Sequence, residues 1–403
     1  MSSRSTRREF LGHAARASAG LAAAAALSRC AATPAAPPHA ERVIVVRFGG
    51  GVRLTDVFGP REQCLAPGLR KMAREGTLYT EMWNDGLTRH DAATRYLLTG
   101  RSGGRVTSND EAEHHLAELD GYPTVFEGFR KGLGAPARKV LAAGVPENSD
   151  SEAFGPDYRA VTFASERGIA TDAPSGDTSL GPVAFRAHAN QRFARIVQDL
   201  ANSPPPGADE ARLRFITDAV KRDFESQPAH DPELAEVSIA TFADRVAADR
   251  PYVLPEDADG WLFDLSLAAF DRLRPDLTMI GAVTPDLAHS GAWRTYAAAV
   301  RALDLQLVRL KRFIDADPYY RDRTTMFVTT DCGRGDPRFD EHLVPFDDPH
   351  HRRVFFLALG YGVRADRWIE DRRAQIDVAP TIARLMGFEL PGAEGTPLPE
   401  STG

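Results

Sequence analysis

The stretch from Val43 to Phe48, V-I-V-V-R-F, is a β-branched apolar run that stops abruptly at Gly49, Gly50 and Gly51. Similar runs return at Leu277 to Val283 and at Thr325 to Thr330. An apolar run without alternation reads as a strand covered on both faces, and such strands need helices on both sides of the sheet. Amphipathic stretches supply them at residues 69–75, 92–98, 124–133, 260–273 and 293–314, the last with Leu303, Leu307 and Leu310 on one face. A further helix over 376–386 opens after Gln375 with Asp377 in its first turn, and shorter strands are expected at 139–143 and 354–359. The alternation predicts an α/β fold with a mostly parallel sheet sandwiched by helices. Between them, residues 146–259 are polar and rich in Pro and Gly, with helical pieces at 187–201, 210–226 and 235–248; they read as a helical insertion or cap.

The first forty residues follow a different logic. Ser5 to Leu11 spell S-T-R-R-E-F-L, an apolar stretch runs from Ala19 to Leu27, and small residues continue to Ala40. The order of basic, apolar and small regions resembles a twin-arginine export signal, which predicts a periplasmic or secreted protein whose α/β domain spans 41–403. The apolar part is too short to cross ~30 Å of hydrocarbon, so no transmembrane segment is expected once the signal is removed. Cys30 is a weak candidate for lipid anchoring, because Arg29 stands where such sites want a small residue.

Residues 1–40 hold five Arg and one Glu, so the remainder carries 44 basic and 55 acidic side chains. An acidic domain without a long Lys/Arg run argues against a nucleic-acid partner. Hydrophobic residues at 43% and charged residues at 26% suffice for a large core and exclude disorder throughout. Only Cys64 and Cys332 remain beyond the signal, too few for a disulfide framework, although a Cys64–Cys332 pairing stays open and would remove Cys332 from any chemistry.

In a parallel sheet the chemistry gathers beyond the carboxyl ends of the strands. Four such places carry functional residue types: Gly49 to Arg53, Thr88 to Thr94, Thr284 to His289 and Asp331 to His342. T-P-D-L-A-H sets Asp286 and His289 three apart in one loop, and D-C-G-R-G-D sets Asp331 and Cys332 at the mouth of another strand, with His342 eleven residues on. Carboxylate, imidazole and thiolate are ordinary ligands of zinc and other divalent ions. The competing reading makes Asp286 a helix cap and the histidines surface groups. Arg53, Arg89 and Arg334 lie beside these loops and suit an anionic substrate, while Asp91 suits a cap for the following helix as well as it suits chemistry. Neither G-x-G-x-x-G nor G-x-x-x-x-G-K accompanies the three glycines, which sets aside a phosphate-cradling loop.

Several strings in order resemble the alkaline phosphatase and sulfatase superfamily: L-R-K-M-A-R-E-G-T-L-Y-T from Leu69, R-Y-L-L-T-G-R from Arg95, T-P-D-L-A-H, D-C-G-R-G, and Q-I-D-V-A-P-T-I-A-R-L-M-G with the later T-P-L from Thr396. The resemblance implies a hydrolase of phosphate or sulfate esters with two divalent ions, zinc first and calcium, magnesium or manganese as alternatives, acting on a small anionic ester or glycan. It maps one ion to Asp286, His289 and His342. Departures are concentrated in the other half: the family's first carboxylate aligns with Gly50, its nucleophile with His90, and the second motif's His with Cys332. Two outcomes follow. In one, His90, Asp331 and Cys332 form a remodelled site, with His90 as nucleophile, base or ligand and Arg89 and Arg334 on the substrate. In the other, the chain is a catalytically silent relative that binds an anionic or glycan ligand.

Overall fold

The structure is a computed structural model that describes residues 40–102, 118–119, 121–144, 159–164, 184–188, 233–234, 236–237, 240–241, 244, 258–282, 284–288, 293–335 and 349–401. The expected signal, apart from Ala40, and most of 146–259 lie outside them.

Strand β1 (Arg42–Phe48) is buried along all seven residues, as its unbroken apolar run requires. It lies between β6 (Leu277–Ala282) and β7 (Thr324–Thr330), parallel to both. Its side chains still alternate. Ile44, Val46 and Phe48 enter a core completed by α2 (Pro67–Met72), α5 (Ala258–Leu273) and α6 (Trp293–Ala316), whereas Val43 and Val45 face α3 (His90–Thr99), α4 (Val125–Leu133) and α8 (Val378–Met386). The sheet therefore has helices on both faces, as the sequence implied.

Ten strands form that sheet, in the order β10-β2-β8-β7-β1-β6-β3-β4-β5, with β9 (Arg367–Ile369) also paired to β2. The remaining strands are β2 (Gly76–Trp83), β3 (Val140–Gly144), β4 (Arg159–Ala164), β5 (Ala184–His188), β8 (Arg353–Gly360) and β10 (Arg373–Ala374). Among the described strands, β8 alone runs antiparallel to its neighbours, β7 and β2. Short helices α1 (Leu54–Phe58) and α7 (Pro349–Arg352) lie after β1 and directly before β8.

Two features correct the sequence reading. Strand β2 was not anticipated, although G-T-L-Y-T-E-M-W carries the β-branched and aromatic content of a half-buried strand. Within the expected helical insertion, β4 and β5 extend the main sheet in parallel register, and β5 takes Ala187 and His188 from a predicted helix. Leu234 and Val237, from the same stretch, are buried in the main core. The other predicted elements that fall within the described residues agree to within a few residues, whereas α1, α7, β9 and β10 were not predicted and most of the helical pieces at 187–201, 210–226 and 235–248 lie outside the described residues. Helix α4 starts where expected because Thr124 and Glu127 form a reciprocal capping box.

Candidate active site

The loops after β6, β1 and β7 meet at one rim of the sheet. Gly50 adopts a φ of +80°, and a Cβ there would lie 2.2 Å from the amide nitrogen of Asp286 and 2.3 Å from its Cα. The position aligned with the family's first carboxylate is thus a backbone-on-backbone contact, with Asp286 on the short 3-10 turn Thr284–Ala288 as the other party. Glycine is the only residue that allows both the φ and the approach.

Asp331, directly after β7, is 0% exposed. Its carboxylate accepts main-chain N–H groups from Cys332 at 2.6 Å and from Gly50 and Gly51 at 3.3 Å each. The guanidinium of Arg47, on β1, stands 3.9 Å from its other side. Its carbonyl oxygen accepts from Asn84 Nδ2 at 3.4 Å and Gln375 Nε2 at 3.1 Å. Asn84 in turn opens the loop that leads through Arg89 to α3, and Arg352 fastens the same loop by donating to the carbonyls of Asn84 and Gly86. A fourth segment, ending at His90, is therefore tied to the rim. His90 is the first residue of α3, with Arg89 as N-cap. Arg89 keeps 40% of its side chain exposed and pairs with the buried Asp91 at 2.9 Å, so Asp91 sits in the first helical turn rather than at the cap.

Beside the rim lies a cluster that sequence reasoning did not find as a unit. Arg53 donates through Nε to the Gly335 carbonyl at 2.6 Å and pairs with Asp56 at 3.3 Å. Tyr296 donates its hydroxyl to Asp56 at 2.8 Å, and the Arg334 guanidinium stacks 4.5 Å from the Tyr296 ring centroid while donating to the Gly50 carbonyl. Burial pushes the Asp56 carboxyl above its ordinary value, with the Tyr296 hydroxyl and Arg53 pulling the other way. Arg334, expected as a substrate contact, is 1% exposed and spends its guanidinium joining the loops at 50 and 335. Arg53 and Arg334 are legible in the sequence as cations beside these loops, whereas Asp56 on α1 and Tyr296 on α6 are not.

The chemistry of the donor set does not suit a divalent ion at Asp331. Its carboxylate is already held by three N–H donors and a guanidinium, Gly50 contributes no ligand, and Cys332 is a buried thiol. Burial first, and then the negative charge of Asp331, push that thiol well above its ordinary value of 9.0. Both Cys64 and Cys332 are free, which removes the pairing left open above. His289 and His342 lie outside the described residues, as does the His90 side chain; among the described residues no group of three or more His, Cys, Asp or Glu is placed to hold a metal ion.

No protein-family model matches the chain. It is 25% identical over 298 residues to the 2,3-bisphosphoglycerate-independent phosphoglycerate mutase of Haloarcula marismortui, covering 71% of this chain and 52% of that protein. The chain thus spans about half the length of that curated relative. Among solved structures, a mutant of alkaline phosphatase PafA superposes with a TM-score of 0.56 over 91% of this chain and 99% of the other, at 10% identity. The lipoteichoic acid synthase LtaP of Listeria monocytogenes superposes with a TM-score of 0.50 over 92% and 78%, at 11% identity. At such identities the likeness speaks for the fold. In the order of its strands and its flanking layers of helices, the chain has an alkaline phosphatase-like α/β fold.

Proposed function

We propose that the chain is an exported hydrolase of phosphate or sulfate esters that works with a single divalent ion, zinc in the first instance, carried by Asp286, His289 and His342. The observation that supports this reading is the convergence of four segments on one rim. Asp286 packs against Gly50, Asp331 is gripped by the Gly50–Gly51 amides, and Asn84 ties the loop before His90 to the Asp331 carbonyl. Such an ion would polarise the ester and lower the pKa of a bound water. The chain's own part is to hold the anion beside Arg89 and to offer His90 as nucleophile or base. Export rests on the Arg7–Arg8 pair and the apolar stretch behind it.

A second reading, a silent relative that binds an anionic or glycan ligand, is favoured by the engagement of Asp331 and the absence of a carboxylate at Gly50. Turnover of aryl phosphate and aryl sulfate by the purified full chain, with zinc, calcium, magnesium or manganese supplied, separates the two. The hydrolase reading expects turnover that Asp286→Ala with His289→Ala abolishes together with bound metal. No turnover with any of the ions leaves the silent reading standing. For export, replacing Arg7 and Arg8 by Lys should retain the protein in the cytoplasm, and unchanged export would contradict the signal.

A further inference from the structure

Arg47 is out of place in the apolar interior of β1, where Val43 to Val46 and Phe48 surround it and the strand's other arginine, Arg42, stands at its start. It belongs to the central strand, is 1% exposed, and faces the layer filled by Val43, Val45, Tyr79 and Met279. A guanidinium costs a great deal to bury unless its charge is met and its volume accommodated. The neighbouring strands supply room for the side chain and one facing carboxylate. In parallel register Arg47 stands opposite Gly281 on β6, and Gly281 stands opposite Gly144 on β3. A Cβ on Gly281 would come 2.9 Å from Arg47 Nη2, so the side chain lies across the bare backbone of β6. At the far end of that slot is Asp331, whose Oδ2 is 3.9 Å from Arg47 Nη1.

We infer that the Arg47 guanidinium is the resident cation of Asp331, seated in a slot that Gly281 keeps open, and that this corner of the rim takes no divalent ion. The inference rests on reading the rim as the functional site, yet it concerns a different carboxylate from the one assigned an ion above. Three features agree on it. Asp331 is enclosed, its carboxylate also accepts the Thr330 hydroxyl and the amides of Gly50, Gly51 and Cys332, and the loop at Gly50 packs directly on Asp286. A fixed positive charge held by the strand meets the carboxylate without depending on metal supply. The functional consequence is that the charge of Asp331 is met from within the sheet, which leaves the Asp286 side of the rim as the place for an exchangeable ion.

The test uses the full chain purified without chelator, with divalent metal measured per chain and thermal melting recorded with and without EDTA. Asp331→Asn should carry the same amount of metal as the wild type, whether that amount is one ion or none. A drop of about one ion per chain in Asp331→Asn overturns the inference. Gly281→Ala keeps the question answerable if Asp331→Asn does not fold. It narrows the slot and should lower the melting temperature by the same amount with and without EDTA; a loss that EDTA abolishes or enlarges would mean that the carboxylate is served by metal. A wild type devoid of metal contradicts the single-ion hydrolase and leaves Arg47 in place, whereas metal lost in both Asp286→Ala and Asp331→Asn supports an ion and removes Arg47 from its role.

Discussion

At Gly50 the main chain combines a left-handed φ of +80° with a contact that leaves no room for a side chain, because the Cβ position falls 2.2 Å from the Asp286 nitrogen. Restoring an acidic residue there does not restore a metal ligand. Gly50→Asp should lose about 1 to 3 kcal/mol from backbone strain alone, with the clash against the 285–286 backbone adding to it, and Gly50→Ala should lose a similar amount. Urea unfolding measures both. A Gly50→Asp protein as stable as the wild type, binding an extra ion, would show that the loops do not pack in this way. The alignment of Gly50 with a missing carboxylate was legible from motif order. That the space is filled by backbone was not, since the contact joins residues far apart in sequence. Arg47 is the sharper case. V-I-V-V-R-F reads as a buried strand with one polar intruder, and nothing local reveals that Gly281 and Asp331 await it.

Elements were legible in proportion to how local their causes are. Helix α4 announces itself through Thr124, Glu127 and an amphipathic face, all within ten residues. Helix α2 depends on a remote side chain. Ala66 cannot cap it, and Asp304 from the middle of α6 accepts instead from the amides of Gly68 at 2.9 Å and Leu69 at 2.6 Å. Burial raises the Asp304 carboxyl above the ordinary 3.8, and the two N–H donors only partly counter it. The native state therefore holds this proton at pH values where the unfolded chain has released it. Stability contributed by the protonated form is complete below 3.8 and falls as pH rises through the raised native value, levelling off above it. Asp304→Asn removes this titration. Unfolding free energy measured from about pH 3.5 to 6 should show a smaller decline, or a steeper rise, with pH in Asp304→Asn than in the wild type. Identical slopes would place Asp304 outside the acid response. Strands β4 and β5 were missed for the opposite reason to α4: they are short, lie among Pro/Gly-rich sequence, and gain their identity only from pairing with β3 and each other.

On the scale of the molecule, the order of strands sets what must be present before anything is stable. Strand β1, at the amino end of the described domain, hydrogen-bonds only to β6 and β7, more than two hundred residues later, and β2 pairs with β8 at residues 353–360. The Ala40 amide donates to the Leu385 carbonyl at 2.7 Å, which draws the first described residue to the last long helix. Both cores are shared between the two ends of the chain: the Ile44, Val46 and Phe48 side packs on residues from α5 and α6, and the Val43 and Val45 side on residues from α8. Non-local pairing of this kind carries a loop-closure cost before it yields contacts, so folding must await nearly the whole chain. A fragment ending at Pro275 keeps β1 to β5 but removes both neighbours of β1, the partners β8, β9 and β10 of β2, and the partner β6 of β3, exposing five strand edges that the intact sheet covers. It should lack a cooperative melt and be rapidly proteolysed, while the full chain is resistant. If that fragment melts cooperatively and retains strand signal in far-UV circular dichroism, the amino-terminal half is an independent folding unit. The rim, which needs Gly50 from one half and Asp286 and Asp331 from the other, would then be an interface between two preformed pieces rather than a product of one sheet.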